Sequence, residues 1–599
     1  MAQELHEDTV ERRSADARTL RLLFGFLSGA YARVAWGIAL ALLSVVLAML
    51  SAWQLGALVG LVLDAKAAGT LQSSAAALTG RVFVIVSAEA LSLLLSYYGR
   101  RLLSQGALHA IYALRAKLFE HLQNLPLSYF DRTPQGRSLT RLTNDVEALE
   151  DFFSGTFARI LSCLLMAAAA LAAMLLTSPW LGLLVVVLVL PSVLLTYATR
   201  STSRVLNRDL ARANSANNAR LSEFVQALPL IRGLALEAWS QRKVEDQLRV
   251  YAAANFQLLR VFAWLRPLVG SLSTAPLVVF VLVGARAVLQ GSLSVGSFVS
   301  FVRYFERFGR PVLELSFELH VLQQALASAE RLTSFLNEQT EQAQLGAATG
   351  QRSALELHGE VECRNLSMRY AGSELVLRDI SFKVEAGSML GLTGATGSGK
   401  SSTVSLLSRL YPFEQGQLLL DGVDISEYEL GSLRRAIGYV TQEVMILRAS
   451  VRENLCLDRI VSDEKLHTIC AQTGFADVLR RAQLTLDSPI LEYGANLSVG
   501  ERQLLSFTRT LLLDPKVLVL DEATANVDQH YERQLQSAME QLMQGRTCII
   551  IAHRLETLRR CQQILVFNQG QIVERGDHQS LLQLGGYYAR LWQPGGGGV

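Results

Sequence analysis

The chain has 599 residues, of which 50% are hydrophobic and 18% charged, and its formal net charge is +3 at pH 7. So long and so apolar a chain is not a single soluble domain. The net charge says little, because it averages two unlike halves, and no nucleic-acid partner is expected.

The polar N-terminus lacks the charged n-region and cleavage pattern of a removable signal. Arg12–Tyr31 reads either as an amphipathic entry helix at a membrane interface or as an ordinary solvated helix. Val34–Leu63 then runs thirty residues without a charge, and Val82–Gly99 carries one acid, Glu89. Ile160–Thr199 is forty residues long and is divided by the turn Thr177-Ser-Pro-Trp180 into two spans of about twenty residues each. Pro267–Ala285 is a further span, and Leu293–Leu313 is a last one that carries several charges. Six membrane helices are predicted.

The connections set an orientation. Asp64–Gly80, Ser178–Trp180 and Arg286–Ser292 carry only Lys66 and Arg286 as basic residues, whereas Arg100–Asp151 and Arg200–Asn255 are crowded with arginines. The excess of positive charge on the cytoplasmic side places both termini, both long loops and the C-terminal half in the cytoplasm of a multi-pass inner or plasma membrane protein. The two long loops read as helical extensions of the spans. Cys163 lies in a span, and Cys363, Cys456, Cys470, Cys548 and Cys561 follow no disulfide or metal spacing, as expected of reduced cysteines.

Charged residues deep in the spans admit two readings. Glu89 lies roughly 12 Å inside Arg81, and Arg303 roughly 15 Å inside Leu293, at 1.5 Å per helical residue. Arg303, Arg307 and Arg310 recur at helical spacing, flanked by Glu306. Either this helix is leaving the membrane while Glu89 pairs with a neighbour, or Glu89, Arg303 and Arg307 line a cavity for amphiphiles with an anionic group, such as lipids.

Asn337–Ser353, rich in Gln, Ala and Gly, reads as a linker. Residues 1–335 are thus expected to form the membrane domain, 336–355 the linker and 356–599 a second domain, with the final Gly-Gly-Gly-Gly-Val a flexible tail. In that second domain Met389-Leu-Gly-Leu-Thr393 has the pattern of a buried strand, and Gly394-Ala-Thr-Gly-Ser-Gly-Lys400-Ser401 follows it before a helix-like run. This is the G-x-x-x-x-G-K-[ST] loop. Its glycines let successive N–H groups turn toward one anion, Lys400 reaches the β- and γ-phosphates, and Ser401 offers a hydroxyl to Mg²⁺. A nucleoside triphosphate is the predicted ligand. Val517-Leu-Val-Leu520 is a second strand and delivers Asp521-Glu522, of which one carboxylate can hold Mg²⁺ while its neighbour polarises a water. Cys548-Ile-Ile-Ile-Ala552 delivers His553 to the phosphates in the same way.

Seven elements in order, Tyr370, Gly394–Ser401, Gln442, Leu497-Ser498-Val499-Gly500-Glu501, Asp521-Glu522, Ala525-Asn-Val-Asp528 and His553, resemble the ATP-binding cassette (ABC) family. The arrangement of membrane region before cassette resembles its exporter half-transporters. The implied fold is a six-helix ABC exporter membrane domain followed by an α/β P-loop NTPase cassette. The implied ATP site comprises Tyr370, stacked on the adenine, and Gly394, Ala395, Thr396, Gly397, Ser398, Gly399, Lys400, Ser401, Ser402 and Gln442. Mg²⁺ would be held by Ser401, Gln442 and Asp521, with Glu522 as catalytic base and His553 at the γ-phosphate. The signature Ser498, Val499, Gly500 and Glu501 and the D-loop Asp528 act across a dimer, so a second half-transporter subunit is implied. Short transverse helices that dock on a cassette are expected near Ser128–Thr133 and Arg212–Ala219.

The reading is an ATPase that drives an amphiphilic small molecule, drug, lipid or peptide out of the cytoplasm or inner leaflet by alternating access, in contact with membrane lipids. An importer on the same fold is the alternative, since nothing in the sequence sets direction. The family's usual signature is Leu-Ser-Gly-Gly-Gln, so Val499 and Glu501 depart from it while Asp521, Glu522 and His553 are intact. This mixture resembles the competent subunit of a heterodimer; a symmetric homodimer that tolerates both substitutions is the competing arrangement.

Overall fold

A computed structural model describes residues 25, 26, 28–345, 350, 352–354, 356–370, 372–441, 444–521, 529–552 and 555–591. The expected entry helix and C-terminal tail fall mainly or wholly outside these. The chain forms two compact units, one of residues 1–119 and 138–337 and one of residues 120–137 and 338–599.

The first unit is a set of long helices: α1 (Tyr31–Ala67), α2 (Ala75–Gln123), α4 (Gly136–Thr177), α5 (Pro179–Gln226), α7 (Glu237–Leu289) and α8 (Val295–Leu336). The short α3 (Leu127–Arg132), which belongs to the second unit, lies between α2 and α4 in the chain, and α6 (Leu228–Gly233) lies between α5 and α7. Among the described residues five helices, α1, α2, α4, α5 and α7, are long and apolar enough to cross a membrane. The last predicted span lies in α8, where Arg303, Glu306, Arg307 and Arg310 lower the hydropathy of the first half. A helix of 48 residues such as α5 is about 72 Å long, more than twice a ~30 Å hydrocarbon core. The two arginine-rich loops are therefore continuations of the spans.

Local chemistry sets the breaks. Ser178 is extended and Pro179 opens α5, as the Thr177–Trp180 turn demands. The second transverse helix is not at Arg212–Ala219, where α5 runs on unbroken. The short helix of this loop is α6 instead, because Pro229 occupies the first turn of a new helix after Ala227. Helix α4 is locally underwound in two π turns, Arg141–Asp145 and Phe152–Thr156. The first turns the nearly buried Asp145 toward α8, where it accepts hydrogen bonds from Ser328 and from the Arg331 guanidinium.

Close helix contact rests on small residues. A Cβ at Gly56 of α1 would lie 1.8 Å from Ser300 Oγ, and one at Gly296 of α8 would lie 2.5 Å from Gly56 O. Only glycine admits that approach, the small-xxx-small logic of membrane helix pairs. Phe280 of α7 stacks on Phe298 and Phe301 of α8 and fills the core beside Met174 and Val185.

The second unit has a four-stranded antiparallel sheet, order β2-β1-β4-β5, and a six-stranded sheet, order β10-β9-β3-β8-β7-β6. The strands are β1 (Val361–Arg369), β2 (Leu375–Val384), β3 (Met389–Gly394), β4 (Gln415–Leu420), β5 (Val423–Asp424), β6 (Ile437–Val440), β7 (Val517–Asp521), β8 (Thr547–Ile551), β9 (Gln563–Asn568) and β10 (Gln571–Gly576). β6, β7, β8, β3 and β9 are parallel neighbours. Strands covered on both faces read as unbroken apolar runs, and all five residues of β8 are buried.

The linker is not loose throughout. Within it α9 (Glu341–Gln344) is pinned by a two-pronged ion pair from Glu341 to Arg434 and by the Glu341 N–H donating to Asn124 O at 2.7 Å. The Gly350 N–H donates to Ser426 O, and Arg352 pairs with Tyr428 in a parallel bridge.

Candidate functional site: the nucleotide cradle and a membrane ion pair

Parallel strands with aligned registers bring their C-terminal ends to one edge. Leu392 of β3 and Asp521 of β7 both pair with Ile551 of β8, so the loop after β3 and the carboxylate ending β7 flank one strand. This is the edge at which open α/β sheets bind ligands. The phosphate loop runs from Gly394 into α10 (Lys400–Leu407). Gly394, Gly397 and Gly399 have φ of +138°, +79° and +106°, which L side chains avoid. A Cβ at Gly394 would also meet Phe567 O at 2.1 Å, and one at Gly399 would meet Leu377 at 2.6 Å. Ala395, Thr396 and Gly397 form the exposed crest, while Ser398 and Lys400 are buried below it. The Lys400 ammonium donates to Gly394 O and Ala395 O, each at 2.8 Å, so its charge lies under the crest. A cradle of glycines that exclude side chains, with a cation inside it, fits a polyphosphate.

Ser401 sits exposed on the first turn of α10 and Asp521 at the end of β7. A hydroxyl and a carboxylate are hard oxygen donors, and few protein ligands besides phosphates suit Mg²⁺. The Tyr439 hydroxyl bonds Asp521, and its pKa is pushed up to about 12, first by burial and then by that carboxylate. Tyr439, three residues before Gln442 in Gly438-Tyr-Val-Thr-Gln442, thus orients the carboxylate, a role the sequence did not suggest. Gln442, Glu522, Asp528 and His553 lie outside the described residues.

Tyr370 is half-buried beside the phosphate loop. Its hydroxyl is 2.8 Å from Ser402 Oγ on α10, and its ring meets that of Tyr411 edge to face, centroids 4.9 Å apart. The Tyr411 hydroxyl in turn donates to Asp131 Oδ2 of α3 at 2.8 Å. The expected first transverse helix, Ser128–Thr133, coincides with α3 to within a residue at each end.

The signature opens α11 (Val499–Leu513) with a closed capping box. Ser498 Oγ accepts from the Glu501 N–H at 3.3 Å, and the Glu501 carboxylate accepts from the Ser498 N–H at 2.8 Å. Val499 is exposed at the tip and Gly500 is buried. Two orphan donors of the helix are thus satisfied reciprocally, which places the Glu501 charge at the helix N-terminus.

In the membrane region Arg307 of α8 forms an ion pair with Glu89 of α2 and donates to Ala48 O of α1, and Ser51 of α1 donates to the same Glu89 carboxylate. Arg303 pairs instead with Glu306, one turn along its own helix. The expected arginine row is therefore not a line of unpaired cations. Arg307 is neutralised across three helices, and Arg303, half exposed, is the more accessible charge.

Comparison with known proteins agrees with both halves. The family profile "ABC transporter transmembrane region" matches residues 34–312, and the profile "ABC transporter" matches residues 377–525. An uncharacterized ABC transporter ATP-binding protein, YfiC of Bacillus subtilis, is 30% identical over 84% of this chain and 83% of its own length. An ATP-dependent lipid A-core flippase of Pseudomonas fluorescens is 33% identical over 83% of this chain and 82% of its own. A fatty acid ABC transporter ATP-binding/permease protein of Mycobacterium bovis is 31% identical over 82% and 77%. With its phosphate cradle, its capped signature helix and its bundle of membrane-length helices, this chain belongs to the ABC transporters of exporter type, a multi-pass membrane protein carrying an ATP-binding cassette.

Proposed function

We propose that this chain is one half of an ATP-driven translocase that carries a lipid or lipid-like amphiphile from the cytoplasm or inner leaflet outward, with both termini and the cassette cytoplasmic. The observation that carries the reading is that residues 120–137, from the first loop of the membrane region, fold as part of the cassette unit. A helix shared in this way gives the cassette a mechanical handle on the spans. Two relatives with lipidic names, the lipid A-core flippase and the fatty acid transporter, support an amphiphilic cargo.

In this reading Tyr370 stacks on adenine, the loop from Gly394 to Ser402 holds the phosphates, and Lys400 moves from its own loop carbonyls to the β- and γ-phosphates. Ser401, Gln442 and Asp521 hold Mg²⁺, which supplies charge neutralisation at the phosphates. Glu522 takes the proton of the attacking water, His553 contacts the γ-phosphate, and Asp528 lies at the dimer seam. Ser498, Val499, Gly500 and Glu501 close on the ATP of a second half-transporter. The exposed Leu228, Leu230 and Leu234 at and beside α6 support a docking face for that partner's cassette. ATP binds the closed arrangement better than the open one, and that differential affinity turns the cavity outward. Arg303 and the Glu89–Arg307 pair face the cargo's polar group.

The test is reconstitution in vesicles with fluorescent anionic, neutral and cationic lipids. ATP-dependent movement of lipid, lost in Lys400→Ala, is expected. Movement that persists in Lys400→Ala would overturn the reading, and an unchanged response to anionic lipid in Arg303→Ala would remove the electrostatic account of cargo.

A further inference from the structure

Three hydrogen bonds among the described residues join residues 124–131 to the rest of the cassette unit. Asn124 O accepts the Glu341 N–H, Ser128 Oγ donates to Gln344 Oε1 at 3.1 Å, and Asp131 Oδ2 accepts the Tyr411 hydroxyl at 2.8 Å. Ser128 and Asp131, three residues apart, share one face of α3. The first two contacts end on the linker helix α9. The third leads to the nucleotide. Tyr411 follows α10, which begins at Lys400, and its ring meets Tyr370 edge to face at an interplanar angle of 89°. Tyr370 is tethered at its other end to Ser402, on the first turn of α10.

The base platform is thus held between a hydroxyl on the phosphate-loop helix and a ring whose own hydroxyl is held by the loop helix. Tyr411 is 9% exposed and belongs to the cassette core, whereas Asp131 is exposed. Burial, and after it the Asp131 carboxylate, pushes the Tyr411 hydroxyl pKa up, so it stays a donor throughout the physiological range. A neutral donor fixed in a core against a carboxylate on a separate element transmits position, since packed cores do not deform freely.

We propose that Tyr411 is the positioning residue through which the base platform Tyr370 and the loop helix α3 sense one another, so that nucleotide binding and loop docking strengthen each other. The inference rests on the proposed stacking of Tyr370 on adenine. Reciprocity follows from linkage: if docking of α3 tightens ATP binding, ATP tightens docking by the same factor. A tyrosine that only filled the core would give no such coupling, and Tyr411→Phe separates the two roles because it keeps the ring and removes only the hydroxyl. The variant leaves the exposed Asp131 in water, so no buried polar group is orphaned there.

The experiment uses the full chain in lipid nanodiscs, with ATP affinity read from a fluorescent ATP analogue and amide hydrogen exchange read on the segment 124–133 with and without MgATP. ATP is expected to slow exchange in that segment in the wild type. Tyr411→Phe should lose most of that ATP-dependent slowing and weaken ATP binding about threefold to tenfold, the net scale of one ordinary hydrogen bond. Asp131→Asn keeps an acceptor oxygen and should retain the slowing, and adding Asp131→Leu to Tyr411→Phe should weaken binding no further. Full ATP-dependent slowing in Tyr411→Phe, or an additive double variant, would overturn the proposal. A wild-type chain that does not bind the ATP analogue would sink the ATP-driven reading along with it, an outcome distinct from binding without coupling.

Discussion

At position 501 a glutamate closes the capping box around Ser498 with the same hydrogen bond that a glutamine would make, so the cap geometry does not distinguish them. The difference is charge, since the carboxylate sits at the end of α11 proposed to face a triphosphate. An anion at a helix N-terminus cancels part of the positive end of the dipole, on the order of 0.3–1 kcal/mol for an exposed site. Glu501→Gln is therefore expected to tighten ATP-driven cassette closure about twofold to fivefold at low salt, with less gain at high salt. Crosslinking yield against ATP concentration at two ionic strengths measures it, and a salt-independent effect would rule out the electrostatic cause. Glu522→Gln is expected to keep ATP binding and to lower turnover by about two to four decades, the scale of losing a positioned general base. Near-normal turnover in that variant would move the base elsewhere. Gly399→Ala places a Cβ 2.6 Å from Leu377 at a φ of +106° and should abolish nucleotide binding while leaving the membrane region folded.

Among the elements, the α1–α8 contact makes the sharpest demand on residue size. Gly296→Leu forces a side chain into the backbone of Gly56, an overpacking cost of about 1–3 kcal/mol or more. A Cβ at Gly60, one turn on from Gly56, would come no nearer than 3.9 Å to Gly296 Cα. Gly60→Ala is thus the control. Fluorescence-monitored thermal unfolding should show a lower midpoint for Gly296→Leu and little change for Gly60→Ala, and equal midpoints would contradict the packing. The spans, the buried parallel strands and the phosphate loop were legible because each is written in one contiguous stretch: an uncharged run, an apolar run, a set of glycines at fixed spacing. The break that opens α6 is also written locally, in Ala227-Leu-Pro-Leu230, fifteen residues past the Arg212 at which the expected helix begins. The Tyr411–Asp131 bond joins residues 280 apart, and the Glu89–Arg307 pair joins residues 218 apart, so no local pattern announces either choice of partner. Tyr439 shows the intermediate case, a residue inside a recognised motif whose role depends on the register of β6 against β7.

For the whole molecule, the substituted signature bears on the identity of the proposed second half. In the proposed dimer the signature would serve the phosphate loop of the partner, so Val499 and Glu501 would weaken the partner's ATP site and not the one built on Lys400. Val499 is 44% exposed at the tip of α11, where it adds bulk to a surface meant for close approach to phosphate. A partner whose ATP is held by this weakened signature can lose its own catalytic carboxylate at little further cost to turnover. We therefore propose a heterodimer in which this chain would supply Glu522 and His553, and the partner an ordinary Leu-Ser-Gly-Gly-Gln to complete that site. Expressed with the product of an adjacent ABC half-transporter gene, the chain should purify as a one-to-one pair that hydrolyses ATP at one of its two sites. Glu522→Gln should then remove essentially all turnover, by about two to four decades, while a change at the partner's equivalent position should cost little. Native mass spectrometry gives the stoichiometry, and trapping of labelled nucleotide after hydrolysis counts the working sites. A stable homodimer that traps nucleotide equally at two sites would refute the asymmetric arrangement, because the substituted signature would then be shown to support turnover by itself.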